Sequence, residues 1–218
     1  MSALPKQLAA EFIGTAFLLA TVVGSGIMGE KLAGGNAAIA LLANAIATGA
    51  VLYALISALG PMSGAHFNPL VTLSEVMLGR LEAKPAIAYV VIQIIAALVG
   101  VLIAHGMFEL PAFFPSHHVR SGSAQLFSEV VATFGLLLVI FQCARHKPES
   151  IPAAVGFYIT AAYWFTASTS FANPAVTIAR SMTDTFAGIR PVDAPGFIGA
   201  QFIGAILAVL VCRWLARD

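Results

Sequence analysis

The chain has 218 residues, of which 59% are hydrophobic and only 10% are charged, and its formal net charge at pH 7 is +1. Soluble domains usually carry about 25% charged residues, so this composition excludes an ordinary globular surface and indicates a surface that mostly faces lipid. The near-zero net charge gives no reason to expect a nucleic-acid partner, and two cysteines without metal-ligand spacing predict neither a disulfide framework nor a metal site.

The first part of the chain predicts three membrane spans, each of which needs about 20 mainly apolar residues. The first is the charge-free stretch 12–29. Since Glu11 precedes it and no clear small-residue cleavage site follows, we interpret it as a retained span and not as a signal peptide. Residues 36–59 predict the second span and residues 86–104 the third.

Part of this region is an apolar segment of unusual length. Residues 32–74 contain no Asp, Glu, Lys or Arg, and the run is too long for one span and too short for two. A glycine and a proline, Gly60 and Pro61, mark a break in it. We therefore expect span 2 to end near this break and a half-span to enter the membrane after it.

The rest of the chain repeats this order after a polar connection at residues 105–122. Residues 124–144 predict span 4 and include one embedded charge, Glu129. Residues 150–179 repeat the long apolar run and predict span 5 with a second half-span, and residues 194–212 predict span 6. The sequence thus predicts an all-α membrane protein with six transmembrane helices and two re-entrant half-helices.

Short internal similarities indicate two copies of one unit. Because each copy has three spans, the copies must have opposite topology, which is a known membrane-protein architecture. We place the first inverted repeat at residues 1–104, the extracellular connecting loop at 105–122 and the second repeat at 123–218. The matching segments are Ala10-Glu11-Phe12 with Ser128-Glu129-Val130, and Asn68-Pro69-Leu70-Val71-Thr72 with Asn173-Pro174-Ala175-Val176-Thr177.

The placement of lysine and arginine predicts the orientation in the membrane, since cytoplasmic loops carry an excess of these residues. The bias favours an N-terminus and a C-terminus in the cytoplasm. With that orientation the cytoplasmic ends hold Lys6, Arg80, Lys84, Arg145, Lys147, Arg213 and Arg217. The outer side holds Lys31, Arg120, Arg180 and Arg190.

The two Asn-Pro pairs predict helix starts inside the membrane. Proline at the first helical position gives up an N–H that has no partner there, and asparagine at the cap accepts hydrogen bonds from first-turn amides. The amide NH₂ of Asn68 or Asn173 can then donate to a solute. Two helices that begin at mid-membrane direct two positive dipole ends at one point, which repels a cation and leaves donors for a neutral hydroxyl solute.

The chain resembles the major intrinsic protein, or aquaporin, family over nearly its whole length. The likeness rests on the Glu-containing span starts and on two segments, Ser63-Gly64-Ala65-His66-Phe67-Asn68-Pro69 and Asn173-Pro174-Ala175. The resemblance implies a homotetramer in the cell (inner or plasma) membrane, with one pore per subunit, passive transport and no cofactor. An enzyme is not expected, because no catalytic motif is evident.

The sequence departs from this family's pattern at two positions. Leu70 stands where the first motif has alanine, and Val176 stands where an arginine usually follows the second motif. By the family's usual spacing, the other three positions of the outer constriction fall on Thr48, Ala161 and Ser170. These four small residues predict a selectivity filter that is wider and less polar than a water-specific one.

A wide filter predicts passage of glycerol-like polyols or neutral metalloid hydroxides such as arsenite, together with water. A pore without the arginine resembles the aquaglyceroporins linked to bacterial arsenic resistance. One alternative is a water-selective aquaporin. Another is a gradient-coupled secondary transporter, since inverted repeats and broken helices also occur in that class.

Four further residues are candidates for supporting roles. Arg180 lies four residues after Val176 on the same helix face, so it either reaches the outer pore mouth or snorkels to lipid headgroups. His66 is expected near the cytoplasmic pore entrance, where it either gates or packs the loop. Glu11 and Glu129 are expected to accept hydrogen bonds from the loop that leads into each half-helix.

Overall fold

The computed structural model of the chain describes residues 3–216, which form a bundle of eight α-helices. The helices are α1 (Ala3–Leu32), α2 (Ala37–Ser63), α3 (Pro69–Met77), α4 (Ala83–Met107), α5 (Ser123–His146), α6 (Ile151–Phe165), α7 (Pro174–Arg180) and α8 (Ala194–Leu215). A 3₁₀ turn at Pro148–Ser150 leads directly into α6. The predicted order of long helices and half-helices is therefore present.

Within the described residues, α1, α2, α4, α5 and α8 are long and apolar enough to cross a membrane. The sixth crossing is α6, which has only 15 residues. At about 1.5 Å per residue, and with about 6 Å from the 3₁₀ turn before it, this segment spans about 28 Å, close to the thickness of the hydrocarbon core. The short α6 thus completes the six crossings together with its turn.

The predicted break at Gly60 and Pro61 is wrong by one helical turn. Helix α2 continues through Pro61 and ends at Ser63, where Gly64 takes the left-handed conformation at φ 87° and donates its N–H to the Gly60 carbonyl. Proline removes one helical hydrogen bond, but the glycine that closes the helix is the one with positive φ. Similarly, His105 belongs to the buried end of α4 and not to the connecting loop.

The two halves repeat the same contacts. Helix α1 packs on α2 and α4, and α5 packs in the same way on α6 and α8. The half-helices α3 and α7 each contact both α4 and α8, so each is held between the halves. Helices α2 and α6 join the halves at Gly49 and Gly156, where a Cβ on either glycine would lie within 2.7 Å of the other's carbonyl oxygen.

The ends of the helices define two sides of the molecule. The ends of α3, α5 and α8 meet, since Arg145 donates to the Leu215 carbonyl and Arg213 to the Met77 carbonyl. We call this the terminal side, because α1 also begins there. On the far side, the connecting loop 108–122 pairs with the segment after α7, where Phe114 forms a bridge with Thr183.

Candidate functional site

Asparagine caps begin both half-helices. Asn68 and Asn173 have extended backbones, with φ −154° and −158°, and a proline follows each at the first helical position. The Asn68 Oδ1 atom accepts from the Leu70 N–H at 2.9 Å, and the Asn173 Oδ1 atom accepts from the N–H groups of Ala175 and Val176 at 3.0 and 3.3 Å. These bonds satisfy first-turn donors that have no partner inside the helix.

The same two side chains tie the half-helices to each other. The Asn68 Nδ2 atom donates to the Ala172 carbonyl at 2.7 Å, and the Asn173 Nδ2 atom donates to the Phe67 carbonyl at 2.8 Å. Each amide NH₂ has two hydrogens, so this exchange uses one and leaves the second for a ligand. The sequence predicted free donors, and it missed this reciprocal exchange between the two loops.

Each cap follows a strained loop of the same shape. Ala65 and Phe67 have φ of 49° and 48°, and Ser170 and Ala172 have φ of 51° and 49°. The four residues stand three and one positions before their asparagines. A left-handed backbone at a non-glycine residue costs about 1–3 kcal/mol and persists only where surrounding contacts enforce it. The loops therefore need strong partners within the bundle.

The buried carboxylate of Glu11 is the partner of the first loop. Its Oε1 atom accepts from the Ser63 hydroxyl at 2.7 Å and the His66 N–H at 2.9 Å. Its Oε2 atom accepts from the Phe67 N–H and from the Gln93 Nε2 atom, both at 2.8 Å. Four donors thus satisfy a charge that would otherwise be costly to bury.

Glu129 holds the second loop in the same way. Its two oxygens accept from the N–H groups of Phe171 and Ala172 at 2.9 Å, and Oε2 also accepts from the Gln201 Nε2 atom at 2.6 Å. Sequence reasoning missed Gln201 and its counterpart Gln93. Gln201 is the only amide side chain in predicted span 6, and Gln93 is the only one in predicted span 3. Their matched positions in the two repeats are the signal that could have identified them.

Leu70, which stands in place of the alanine of the first motif, does not line the central cavity. Its side chain is 1% exposed and packs in an apolar cluster with Val71, Leu137 and Phe141. The larger residue is therefore accommodated by contacts with α5 and α8, and it does not narrow the cavity described next.

A cavity of about 320 Å³ lies between the halves and passes both asparagines. His66, Glu75 and Ile151 line it toward the terminal side. The middle walls are apolar, and their residues include Val22, Leu52, Ile56, Val71, Leu136, Ile140, Val155 and Ile159. The far end is lined by Thr48, Tyr163, Ser170, Phe171, Val176 and Arg180.

Three of the four predicted filter residues line the far end, but Ala161 does not. It lies on the exposed face of α6, and the cavity is lined instead by Tyr163. Cavity-lining residues of α6 recur every four positions up to Tyr163, so Ala161, two positions earlier, points about 200° away. The prediction for Ala161 is wrong because the family spacing assumes a longer connection before Asn173.

The far end carries three hydroxyl groups. The Thr48 Oγ1 atom lies 3.2 Å from the Tyr163 hydroxyl. The Ser170 side chain lines the cavity at 3% exposure, and among the described residues its Oγ atom has no hydrogen-bond partner. Val176, at 6% exposure, adds an apolar wall. The site therefore offers hydroxyl groups beside an apolar surface.

Arg180 lies at the cavity and not at a lipid-facing surface. Its side chain is 2% exposed, its Nε atom donates to the Ala187 carbonyl, and its Cζ atom lies 3.4 Å from the centroid of the Phe171 ring. A guanidinium over an aromatic face is attracted by the ring's negative quadrupole. The alternative of a snorkelling arginine does not fit this burial.

The terminal end is more exposed and carries one carboxylate. His66 is half-buried, with its Nδ1 atom 3.0 Å from the Thr72 hydroxyl and its ring against Tyr89. Glu75 lines the cavity and forms an ion pair with Arg80 at 3.6 Å. The contacts of His66 are those of a residue that packs the loop before Asn68.

Comparisons with known proteins agree with this architecture. The family model described as major intrinsic protein matches residues 1–170. The chain is 53% identical to aquaglyceroporin AqpS of Rhizobium meliloti (strain 1021) over 98% of this chain and 91% of that protein. It is 26% identical to aquaporin Z of Brucella melitensis biotype 1 over 98% and 99% of the two chains.

A solved structure shows the same fold. The X-ray structure of the aquaglyceroporin from Plasmodium falciparum superposes with a TM-score of 0.72 and 22% identity, covering 97% of this chain and 95% of that one. The predicted all-α fold of long helices and half-helices is therefore confirmed. The family match, the 53% identical relative and this fold together show that the chain belongs to the major intrinsic protein family of multi-pass membrane channels, which are not enzymes.

Proposed function

We propose that the chain is an aquaglyceroporin-type channel. It passes small uncharged hydroxylated solutes, such as glycerol-like polyols and neutral metalloid hydroxides including arsenite, together with water and down their gradients. The observation that carries the proposal is the cavity that passes Asn68 and Asn173 and ends at three hydroxyl groups beside an apolar wall. The similarity to aquaglyceroporin AqpS supports the solute class.

The lining suits a solute with hydroxyl groups on a short apolar frame. Polar groups can exchange hydrogen bonds with the free hydrogens of the asparagine amides and with the hydroxyls of Thr48, Tyr163 and Ser170. Carbon atoms can contact Val176 and the apolar middle walls. An ion would lose its hydration shell against these walls without enough replacement ligands, which is a large electrostatic cost.

Two features oppose cations along this path. The half-helices direct their positive ends toward the middle of the cavity, where their asparagine caps lie. At the far end we assign the fixed positive charge to Arg180, which reaches the cavity from one turn beyond Val176. The filter therefore consists of Thr48, Tyr163, Ser170, Val176 and Arg180, with Tyr163 in the place of Ala161.

The charge distribution supports an orientation with both termini in the cytoplasm. Arg120 and Arg180 are buried. Among the described residues, the basic side chains that the far side exposes are therefore only Lys31 and, in part, Arg190. The terminal side exposes Lys6, Arg80, Lys84, Arg145, Lys147 and Arg213. This excess is larger than the sequence count indicates and follows the positive-inside rule.

We also propose that the chain forms a homotetramer and that each subunit contains two inverted repeats, at 1–107 and 123–218, with the first extended to the end of α4. The matched caps, carboxylates and left-handed residues of the two halves support the repeat. The cavity lies within one chain, so each subunit has its own pore. Mass measurement of the protein in lipid nanodiscs tests the tetramer, and a monomer of full activity would refute it.

Stopped-flow light scattering of proteoliposomes tests the solute class. We expect water, glycerol and arsenite to cross downhill with a low temperature dependence, and empty liposomes serve as the control. Fast water flux with exclusion of glycerol would identify a water-selective pore. Solute flux that saturates at low concentration and requires a proton or sodium gradient would identify a transporter.

A further inference from the structure

Arg120 is a buried cation in the connecting loop on the far side. Its side chain is only 8% exposed. The Nε atom donates to the Gly188 carbonyl at 2.7 Å, and the Nη1 atom donates to the Ser168 carbonyl at 3.2 Å and to the Thr169 hydroxyl at 3.4 Å. All three acceptors are neutral, so the guanidinium is held in place without neutralisation of its charge.

The available carboxylates near Arg120 are already engaged. Asp193 accepts the Arg120 backbone N–H at 2.9 Å, and its two oxygens pair with Arg190 at 3.0 Å each. Glu129 receives the N–H groups at the second loop, as described above. Within residues 3–216, neither Arg120 nor Arg180 forms an ion pair. Burial lowers the pKa of Arg120 to about 10, which leaves it protonated at neutral pH.

Arg120 and Arg180 share one aromatic ring at the end of the cavity. The Arg120 Cζ atom lies 5.1 Å from the centroid of the Phe171 ring, and the Arg180 Cζ atom lies 3.4 Å from it. Phe171 lines the cavity. Among the described residues, two cations without an ion pair thus lie against one ring that lines the far mouth of the cavity.

The hydrogen bonds of Arg120 also reach the wall of the filter. Ser168 and Thr169 immediately precede Ser170, whose unpartnered hydroxyl lines the cavity. Thr169 and Ser170 are both in the left-handed region, with φ of 60° and 51°. Glu129 accepts from backbone N–H groups only from Phe171 onward. Arg120 is the side chain that binds Ser168 and Thr169 before it.

We propose that Arg120 is a specificity-determining residue of the far mouth. Its charge adds to that of Arg180 in excluding cations, and its guanidinium fork positions residues 168–170 so that Ser170 faces the solute. The proposal rests on the channel function proposed above. It assigns to the connecting loop a part in selectivity that the half-helices do not supply.

Two substitutions separate the charge from the hydrogen bonds. Arg120→Gln removes the charge and keeps a donor, whereas Arg120→Lys keeps the charge and loses the fork. Lys31→Gln is the matched control, because it removes an exposed positive charge from the same side. A unit charge about 8 Å away, at an effective dielectric constant of about 20, corresponds to a change of about thirtyfold in cation passage, so its loss should raise cation passage at least tenfold.

The assay measures K⁺ leak with an entrapped K⁺-sensitive dye, and water and glycerol flux by stopped flow, in the same proteoliposomes. The assay is done at pH 7.5. Burial, followed by the charges of Arg120 and Arg180, lowers the pKa of His118 below the ordinary 6.5, so His118 is neutral at this pH. We expect Arg120→Gln to raise K⁺ leak at least tenfold. Arg120→Lys should keep the wild-type K⁺ leak and change the ratio of glycerol to water flux, and Lys31→Gln should change neither.

Equal K⁺ leak in Arg120→Gln and the wild type would overturn the charge role. If Arg120→Gln does not assemble, Arg120→Lys alone decides. An unchanged flux ratio, or a K⁺ leak that rises in the lysine variant, would overturn the proposal. Failure of the proposed solute class gives a different result from failure of the Arg120 proposal. In that case the wild-type protein excludes glycerol, and its K⁺ leak can still be compared with that of the variants.

Discussion

The substitution Tyr163→Phe tests which residue of α6 faces the solute. It keeps the ring and removes the hydroxyl that lies 3.2 Å from Thr48 Oγ1. A hydrogen bond of this kind contributes about 0.5–1.5 kcal/mol, so loss of one solute contact reduces flux by about two- to tenfold. We expect glycerol flux to fall within that range. Water flux should change less, because a water molecule makes fewer simultaneous contacts with the three hydroxyls.

Ala161→Ser is the matched control for this experiment. It adds a hydroxyl at the position that the family spacing assigned to the filter, but on the exposed face of α6. Both variants are reconstituted at equal protein density, and glycerol and water fluxes are measured by stopped flow. Wild-type fluxes in Tyr163→Phe combined with altered glycerol flux in Ala161→Ser would refute the structural register of α6.

Three other substitutions test the support of the first loop, the filter and the contact between α2 and α6. Glu11→Gln replaces one carboxylate oxygen by an NH₂ group, so two of the four buried donors lose their acceptor, at a cost of about 1–3 kcal/mol each. The melting temperature in detergent should fall, whereas Glu149→Gln, at an exposed position, should keep the wild-type melting temperature. Val176→Arg places a long charged side chain in the filter, and glycerol flux should fall about tenfold, equivalent to about 1.4 kcal/mol; unchanged flux would remove Val176 from the filter. Gly49→Ala puts a Cβ 2.7 Å from a backbone carbonyl of α6 and should lower both stability and flux, whereas Gly60→Ala, with open space around it, should be tolerated.

The sequence predicts the parts of this molecule that depend on local chemistry. An Asn-Pro pair after an apolar break specifies a capped half-helix, since cap and proline act within one turn. Its recurrence at Asn68 and Asn173 predicts the repeat. Glu11 and Glu129 could be assigned to the loops for a similar reason, because a carboxylate buried in lipid-facing sequence needs nearby donors.

The parts that the sequence does not predict depend on distant contacts. The position of Tyr163 follows from the length and left-handed turns of residues 166–172, which a fixed family spacing cannot anticipate. The i, i+4 relation correctly places Arg180 on the face of Val176, but its burial depends on the Phe171 ring and the Ala187 carbonyl. Both lie outside α7, and helix periodicity contains no information about them.

The two mouths of the cavity differ in charge although their half-helices match. Glu75 and Arg180 each stand seven residues after their asparagine, and both line the cavity, one at each end. Glu75 is paired with Arg80 at 3.6 Å, whereas Arg180 is unpaired among the described residues and has Arg120 on the same ring. The repeat therefore fixes where a charged residue can reach the path, and the sequence at that position sets its sign. A net positive field at the far mouth raises the barrier for cations that cross in either direction, while a neutral solute meets only the hydroxyls and the apolar wall there.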